Sequence, residues 1–179
     1  MFKDKKVIIF DMDGTLIDSV GMWNKTDETL IKKFTNKNID EFFSENDIQA
    51  KDIGQMRDSI LAKCKSGDIY LEYCSWLKEK FKTDTPAEEI WKSRWKIANE
   101  YIINEVDYKE DADILLKKLK EKGYILALAT TTTKDRLDIY RKKLKKADIG
   151  KIFTVILSKE DVEHKKPSPE IHNKIMKKL

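Results

Sequence analysis

Lys6-Val7-Ile8-Ile9-Phe10-Asp11-Met12-Asp13-Gly14-Thr15-Leu16-Ile17-Asp18-Ser19 is the stretch from which the rest of the chain is read. Val7 to Phe10 is a short apolar, β-branched run, the pattern of a strand buried on both faces. Two carboxylates follow two positions apart, and Gly14 then permits a tight turn. In open α/β sheets ligands bind just beyond the carboxyl ends of the strands, so this order delivers Asp11 and Asp13 to such a crevice. Two crowded acids attract a hard cation, and Mg²⁺ prefers a few carboxylate oxygens, retained waters and a phosphate. Alone, Asp11-Met12-Asp13-Gly14 is also an ordinary polar turn.

Two downstream stretches weigh against that plain reading. Leu126-Ala127-Leu128-Ala129 is a near-continuous apolar strand ending in Thr130, a hydroxyl placed before a helix start whose N–H groups suit a phosphate. Thr132 and Thr133 are both helix N-cap candidates, and that reading is expected to hold for one of them. In His164-Lys165-Lys166-Pro167-Ser168-Pro169-Glu170, proline disfavours helix at the residue before it, so Lys166 is presented from a loop. Its ammonium there suits two carboxylates and a phosphate.

The order DxDGT, strand-Thr and K-P-x-P-E resembles the signature of the haloacid dehalogenase (HAD) superfamily of phosphotransfer enzymes. The helical insertion after the first motif resembles the C1 cap of the β-phosphoglucomutase-like and phosphatase-like branch. The resemblance implies an α/β fold, a Rossmann-like parallel sheet core with an inserted α-helical cap. The core is expected over residues 1–17 and 106–179, with its C-terminal part missing, and the cap over 18–105. The resemblance further implies Asp11 as nucleophile, Asp13 as general acid and base, Thr130, Thr131 and Lys166 on the phosphoryl group, and Mg²⁺ on Asp11 and Asp13. Thr131 stands where the family usually has Asn. The family's fourth, acidic motif has no counterpart before the chain ends at Leu179, so the expectation is a truncated form or a poor metal binder with exposed apolar surface at one sheet edge.

The resemblance implies hydrolysis of a small phosphorylated metabolite through an aspartyl-phosphate. Alternatives are a sugar phosphomutase or a catalytically weak phospho-binding protein. A receiver domain would carry its phosphorylated Asp on a later strand and lack the insert, and a lone metal-binding DxD would leave Thr130 and Lys166 unexplained.

The bulk composition fits this picture. The 179 residues suit one domain or a core with an inserted subdomain. Thirty-six Lys and Arg nearly balance 32 Asp and Glu, for a net charge of +4. Runs such as Lys142-Lys143-Leu144-Lys145-Lys146 read as the wet face of a helix, and neither a nucleic-acid nor a membrane partner is expected. Cys64 and Cys74 lack metal or disulfide spacing and read as buried, reduced thiols. With no signal-like or spanning apolar run, a cytoplasmic location is expected.

Between the motifs the periodicity predicts helices over about 20–34, 46–65 and 69–81, with a loop over 36–43 and a break at Ser66-Gly67-Asp68. Thr85-Pro86-Ala87-Glu88 has the form of a capping box with Pro at the first helical position. It opens a helix whose Trp91, Trp95, Ala98 and Ile102 form one apolar stripe, read as helix packing. Further on, a helix over 111–122 is expected to turn Ile114, Leu115 and Leu119 inward. Strands are expected over 124–129 and 152–157, a helix from Thr130 to about Lys145, and a last helix from Ser168 with Ile171, Ile175 and Leu179 on one face. His164 and His172 read as surface residues. Trp23, Arg57 and Arg94 are candidate substrate contacts among which spacing does not select.

Overall fold

A computed structural model describes residues 6–64 and 68–179. In chain order the elements are β1 (Val7–Phe10), α1 (Val20–Thr35), α2 (Ile39–Glu45), α3 (Ile53–Leu61), α4 (Ile69–Phe81) and α5 (Ala87–Asn104). They continue with α6 (Ala112–Glu121), β2 (Ile125–Ala129), α7 (Lys134–Lys143), α8 (Ile149–Ile152), β3 (Val155–Leu157) and α9 (Glu170–Lys178). The chain divides into two compact units, one made of 1–20 with 105–179 and the other of 21–104.

The first unit holds the sheet. Its three strands run parallel in the order β1-β2-β3, with Val7 opposite Ile125, Phe10 opposite Leu128, and Ala129 opposite Leu157. Parallel strands joined through helices are the α/β arrangement the sequence predicts. On one face α9 lays Ile171 and Ile175 against Ala127, Ala129 and Leu157. Leu179, expected on that face, is exposed. β2 is buried from Leu126 to Ala129, whereas β1 is only half-buried, because among the described residues it pairs on one side alone.

Three expectations in this unit are corrected. In α6 the inward residues are Ala112 and Leu116, while Ile114 and Leu115 are exposed and Leu119 half-buried. Consecutive apolar residues offer a helix more than one face, and the face chosen is the one following Ala112 by one turn. The strand expected from Ile152 begins at Val155, since Asp148 caps the short helix α8 by accepting from Gly150 N at 2.9 Å. Helix α7 likewise starts at Lys134, not Thr130, with Thr133 as its N-cap.

The second unit contains five helical segments and no strand among its described residues. Leu30, Ile31, Phe42, Met56, Tyr73, Leu77 and Ile90 are buried together in its core, and Phe34 stacks on Phe81 at 5.2 Å. The loop expected over 36–43 is in fact mostly α2. Asn38 accepts from Glu41 N at 3.0 Å and Glu41 returns a bond to Asn38 N at 2.9 Å, a capping box the periodicity did not reveal. The helix expected over 46–65 is shortened to α3 because Asp52 caps Gln55 N. The break expected at Ser66-Gly67, like Lys65, lies outside the described residues. The Thr85 hydroxyl pairs with Thr83 at 3.0 Å, and the Pro86 carbonyl accepts from Ile90 N at 3.1 Å. Trp95 meets Trp23 and Trp91 edge-on at 5.9 and 5.7 Å, the packing role expected of the stripe. Among the described residues no helix is long and apolar enough to cross a membrane.

Candidate active site

The site lies within the sheet-bearing unit, beyond the carboxyl ends of its strands. β1 ends at Phe10, so Asp11 is the first residue past the ladder. Met12 is buried and its carbonyl accepts the N–H groups of Thr15, Leu16 and Ile17 at 3.2, 2.9 and 3.2 Å. This loop closes only because Gly14 adopts φ of +75°, where a Cβ would also press Val20 at 3.1 Å. With Met12 turned inward, Asp11 and Asp13 on either side stay half-buried.

Lys166 arrives from the loop before α9. Its ammonium donates to Asp11 Oδ1 at 2.6 Å and to the Ala129 carbonyl at 2.8 Å. One cation thus ties the end of β1 to the end of β2. Thr15 Oγ1 donates to Asp11 Oδ2 at 3.3 Å. The loop that carries Lys166 is held by Glu170, whose carboxylate accepts from the N–H groups of Glu163 at 3.0 Å and His164 at 2.8 Å. A hydrogen bond from Lys174, then those two backbone donors, hold the Glu170 carboxyl down at about 2. His164 and His172 are exposed, as expected, though the His164 ring also lies on Glu170 at 3.1 Å.

Thr130 is 1% exposed. Its N–H donates to the Leu157 carbonyl at 3.0 Å, and its hydroxyl accepts from Thr132 N at 3.0 Å. Thr131 is exposed at the same turn. The two threonines read alike in the sequence divide their roles. Thr133 caps α7, and Thr132 is no cap: its hydroxyl donates to Asp13 Oδ2.

Asp13 has two more partners. Ser19 Oγ donates to Oδ1 at 2.8 Å and Tyr140 OH to the same oxygen at 3.2 Å. Burial, then the neighbouring Asp13 charge, push the Tyr140 phenol far above its ordinary value, so it stays protonated and donates. Sequence reasoning assigned no role to Ser19 or Tyr140 and offered Thr132 only as a helix N-cap. The one available signal was a tyrosine at the buried face of the otherwise strongly polar helix α7, alongside Leu137.

The arrangement is one carboxylate against an ammonium, a second carboxylate held by three hydroxyls, and a threonine turn beside them. It can offer a nucleophilic oxygen, an acid-base group and donors for an anion at one sheet end. A model of the haloacid dehalogenase-like hydrolase family matches residues 8–179. The chain belongs to that family. This HAD-like chain is 28% identical over 169 residues to the pyrophosphatase PpaX of Bacillus velezensis, covering 93% of itself and 66% of PpaX. It therefore spans about two thirds of that relative's length. Among solved structures it resembles a Thermotoga maritima protein described as a β-phosphoglucomutase, with a TM-score of 0.73 at 21% identity over 97% of this chain and 70% of the other. It also resembles the magnesium-bound HAD-type hydrolase YfnB of Bacillus subtilis, with a TM-score of 0.68 at 15% identity over 98% and 74%. At these identities the two structures speak for the fold.

The candidate contacts of the helical unit resolve differently. Arg94 is buried and committed to Asp27 through Nε at 2.6 Å and a second nitrogen at 3.1 Å, under the Trp23 ring at 4.6 Å. That burial makes it part of the unit's core and removes it as a substrate contact. Arg57 is half-buried and donates to Asn24 at 3.3 Å and to Asp27 at 3.2 Å.

Proposed function

We propose that this HAD-like chain carries the site of a phosphatase that acts on a small phosphorylated metabolite through an aspartyl-phosphate on Asp11. The observation that carries the reading is the 2.6 Å contact between Lys166 and Asp11 across 155 residues of chain. An ammonium on the nucleophile's own carboxylate lowers the repulsion an incoming phosphate dianion meets.

The residues then take separate tasks. Asp11 attacks phosphorus, and Asp13 gives its proton to the departing oxygen. In the second half Asp13 takes a proton from the attacking water, the bond from Asp11 to phosphorus breaks, and inorganic phosphate leaves. Thr130, Thr131 and Lys166 hold the phosphoryl group meanwhile. Asp11 and Asp13 offer hard oxygen donors of the kind Mg²⁺ takes, and an ion that keeps several waters needs few of them. Among the described residues there is no group of three His, Cys, Asp or Glu that could hold a metal. By the family resemblance, the Asp11 carboxylate and the Asp13 backbone carbonyl are the donors that would hold the ion. Mg²⁺ so held would offset charge between nucleophile and phosphate. The name of the relative PpaX makes inorganic pyrophosphate the first natural substrate to try.

The test is release of inorganic phosphate from p-nitrophenyl phosphate and from pyrophosphate, with Mg²⁺ or with chelator. Turnover that needs Mg²⁺ and disappears in Asp11→Asn is expected. Turnover that survives Asp11→Asn would refute the reading, and, with a sugar phosphate added as a third substrate, its rearrangement without phosphate release would assign a mutase instead.

A further inference from the structure

The three hydroxyls on Asp13 are not equivalent. Among the described residues Oδ1 receives two of them, Ser19 at 2.8 Å and Tyr140 at 3.2 Å, whereas Oδ2 receives only Thr132. A carboxylate presents about four lone-pair sites, two on each oxygen. Oδ1 is therefore filled, and Oδ2 keeps one site open. Ser19 and Thr132 stand on the loops that follow β1 and β2. Tyr140 is fully buried in α7, a helix fixed at its start by the Thr133 cap, so its hydroxyl is the partner set on a regular element.

We propose that Tyr140 is a positioning residue for Asp13, closing Oδ1 so that proton exchange with the substrate runs through Oδ2. The inference rests on the acid-base role given to Asp13 above. In the first step the proton on Oδ2 passes to the leaving oxygen as the bond from that oxygen to phosphorus breaks and the bond from Asp11 forms. In the second, a proton of the attacking water returns to Oδ2 as the bond from Asp11 to phosphorus breaks. Without the phenol hydroxyl Oδ1 regains an open site, the carboxyl group can carry its proton on either oxygen, and fewer encounters present the proton to the leaving group.

Tyr140→Phe keeps the buried ring and removes only the hydroxyl. The leaving group supplies a readout that a purely structural role would not move. An alkyl monoester (glycerol phosphate) departs as an alkoxide and needs the proton, while p-nitrophenolate leaves well without it. Because kcat/KM reports on steps up to phosphoenzyme formation, Tyr140→Phe is expected to lower it about tenfold for the alkyl ester and less than about twofold for the aryl ester. Asp13→Asn is expected to shift the ratio the same way and further. Equal loss on both esters, or no loss on either, in a protein that still turns over would refute the inference alone. Absence of turnover by the wild-type chain on both esters would refute the reading of the site beneath it.

Discussion

Replacing Asp27 by alanine tests how the helical unit is held together. Asp27 is 1% exposed and Arg94 4%, and their bidentate pair is joined by Arg57 at 3.2 Å. Asp27→Ala leaves the Arg94 guanidinium buried without its counter-charge and facing a second guanidinium. Removing one partner of a buried pair costs about 3–5 kcal/mol. In a unit the size of residues 21–104, about 1 kcal/mol moves Tm by roughly 4–8 °C, which places the expected drop at 12 °C or more, on the order of that product. All four tryptophans, at positions 23, 76, 91 and 95, fall in this unit, so their fluorescence reports on it. A companion variant, Asp27→Leu with Arg94→Met, replaces the pair by apolar side chains and is expected to recover most of the loss, since desolvation of both charges is then avoided. A fall of less than about 1 kcal/mol in Asp27→Ala, the range of an exposed pair, would refute the argument that this pair is desolvated and structural.

Two further outcomes follow from single side chains. The Glu170 carboxyl, held at about 2 by Lys174 and two backbone N–H groups, contributes to the Lys166 loop above its ordinary value of 4.5 and loses that contribution as pH falls toward 2. An NMR titration of Glu170 should show this low midpoint and its rise toward the ordinary value in Lys174→Met; a midpoint near 4.5 in the wild type would contradict it. Burial pushes the Cys74 thiol up to about 12, whereas Cys64 is only half-buried. A thiol-disulfide reagent should therefore titrate at most one cysteine in the native protein and both in denaturant, and rapid reaction of Cys74 in the native state would contradict its burial.

The parts of this molecule legible in its sequence are those whose cause is local. β1 and the Asp-Met-Asp-Gly turn are decided within a few residues, by β-branched runs and one glycine at positive φ. Lys166 was legible because proline restricts the residue before it. What escaped is set by distant chain. Nothing near Thr132 distinguishes it from Thr133, and only the arrival of Asp13 from the first motif gives it a partner. Tyr140 owes its role to the same long-range meeting, and an apolar reading of α7 counts it simply as core. Arg94 lies one position before the tryptophan of an apolar stripe, and its burial depends on Asp27 of α1. The misplaced face of α6 has a different origin: Ile114 and Leu115 are adjacent, and the sheet selects Leu116 in their stead. The missed helix α2 did carry a local signal, since Asn38 and Glu41 stand at capping-box spacing, but its short length hides any periodicity.

The central claim, that Asp11 accepts the phosphoryl group, is tested most directly by trapping the intermediate. The protein is mixed with p-nitrophenyl phosphate and Mg²⁺, quenched in acid after one turnover, and its peptides are weighed. The account predicts one added phosphoryl group on the peptide that contains Asp11, labile to base as an acyl phosphate and missing in Asp11→Asn. A phosphoryl group on any other residue, or turnover with no phosphorylated protein at any quench time, would contradict it.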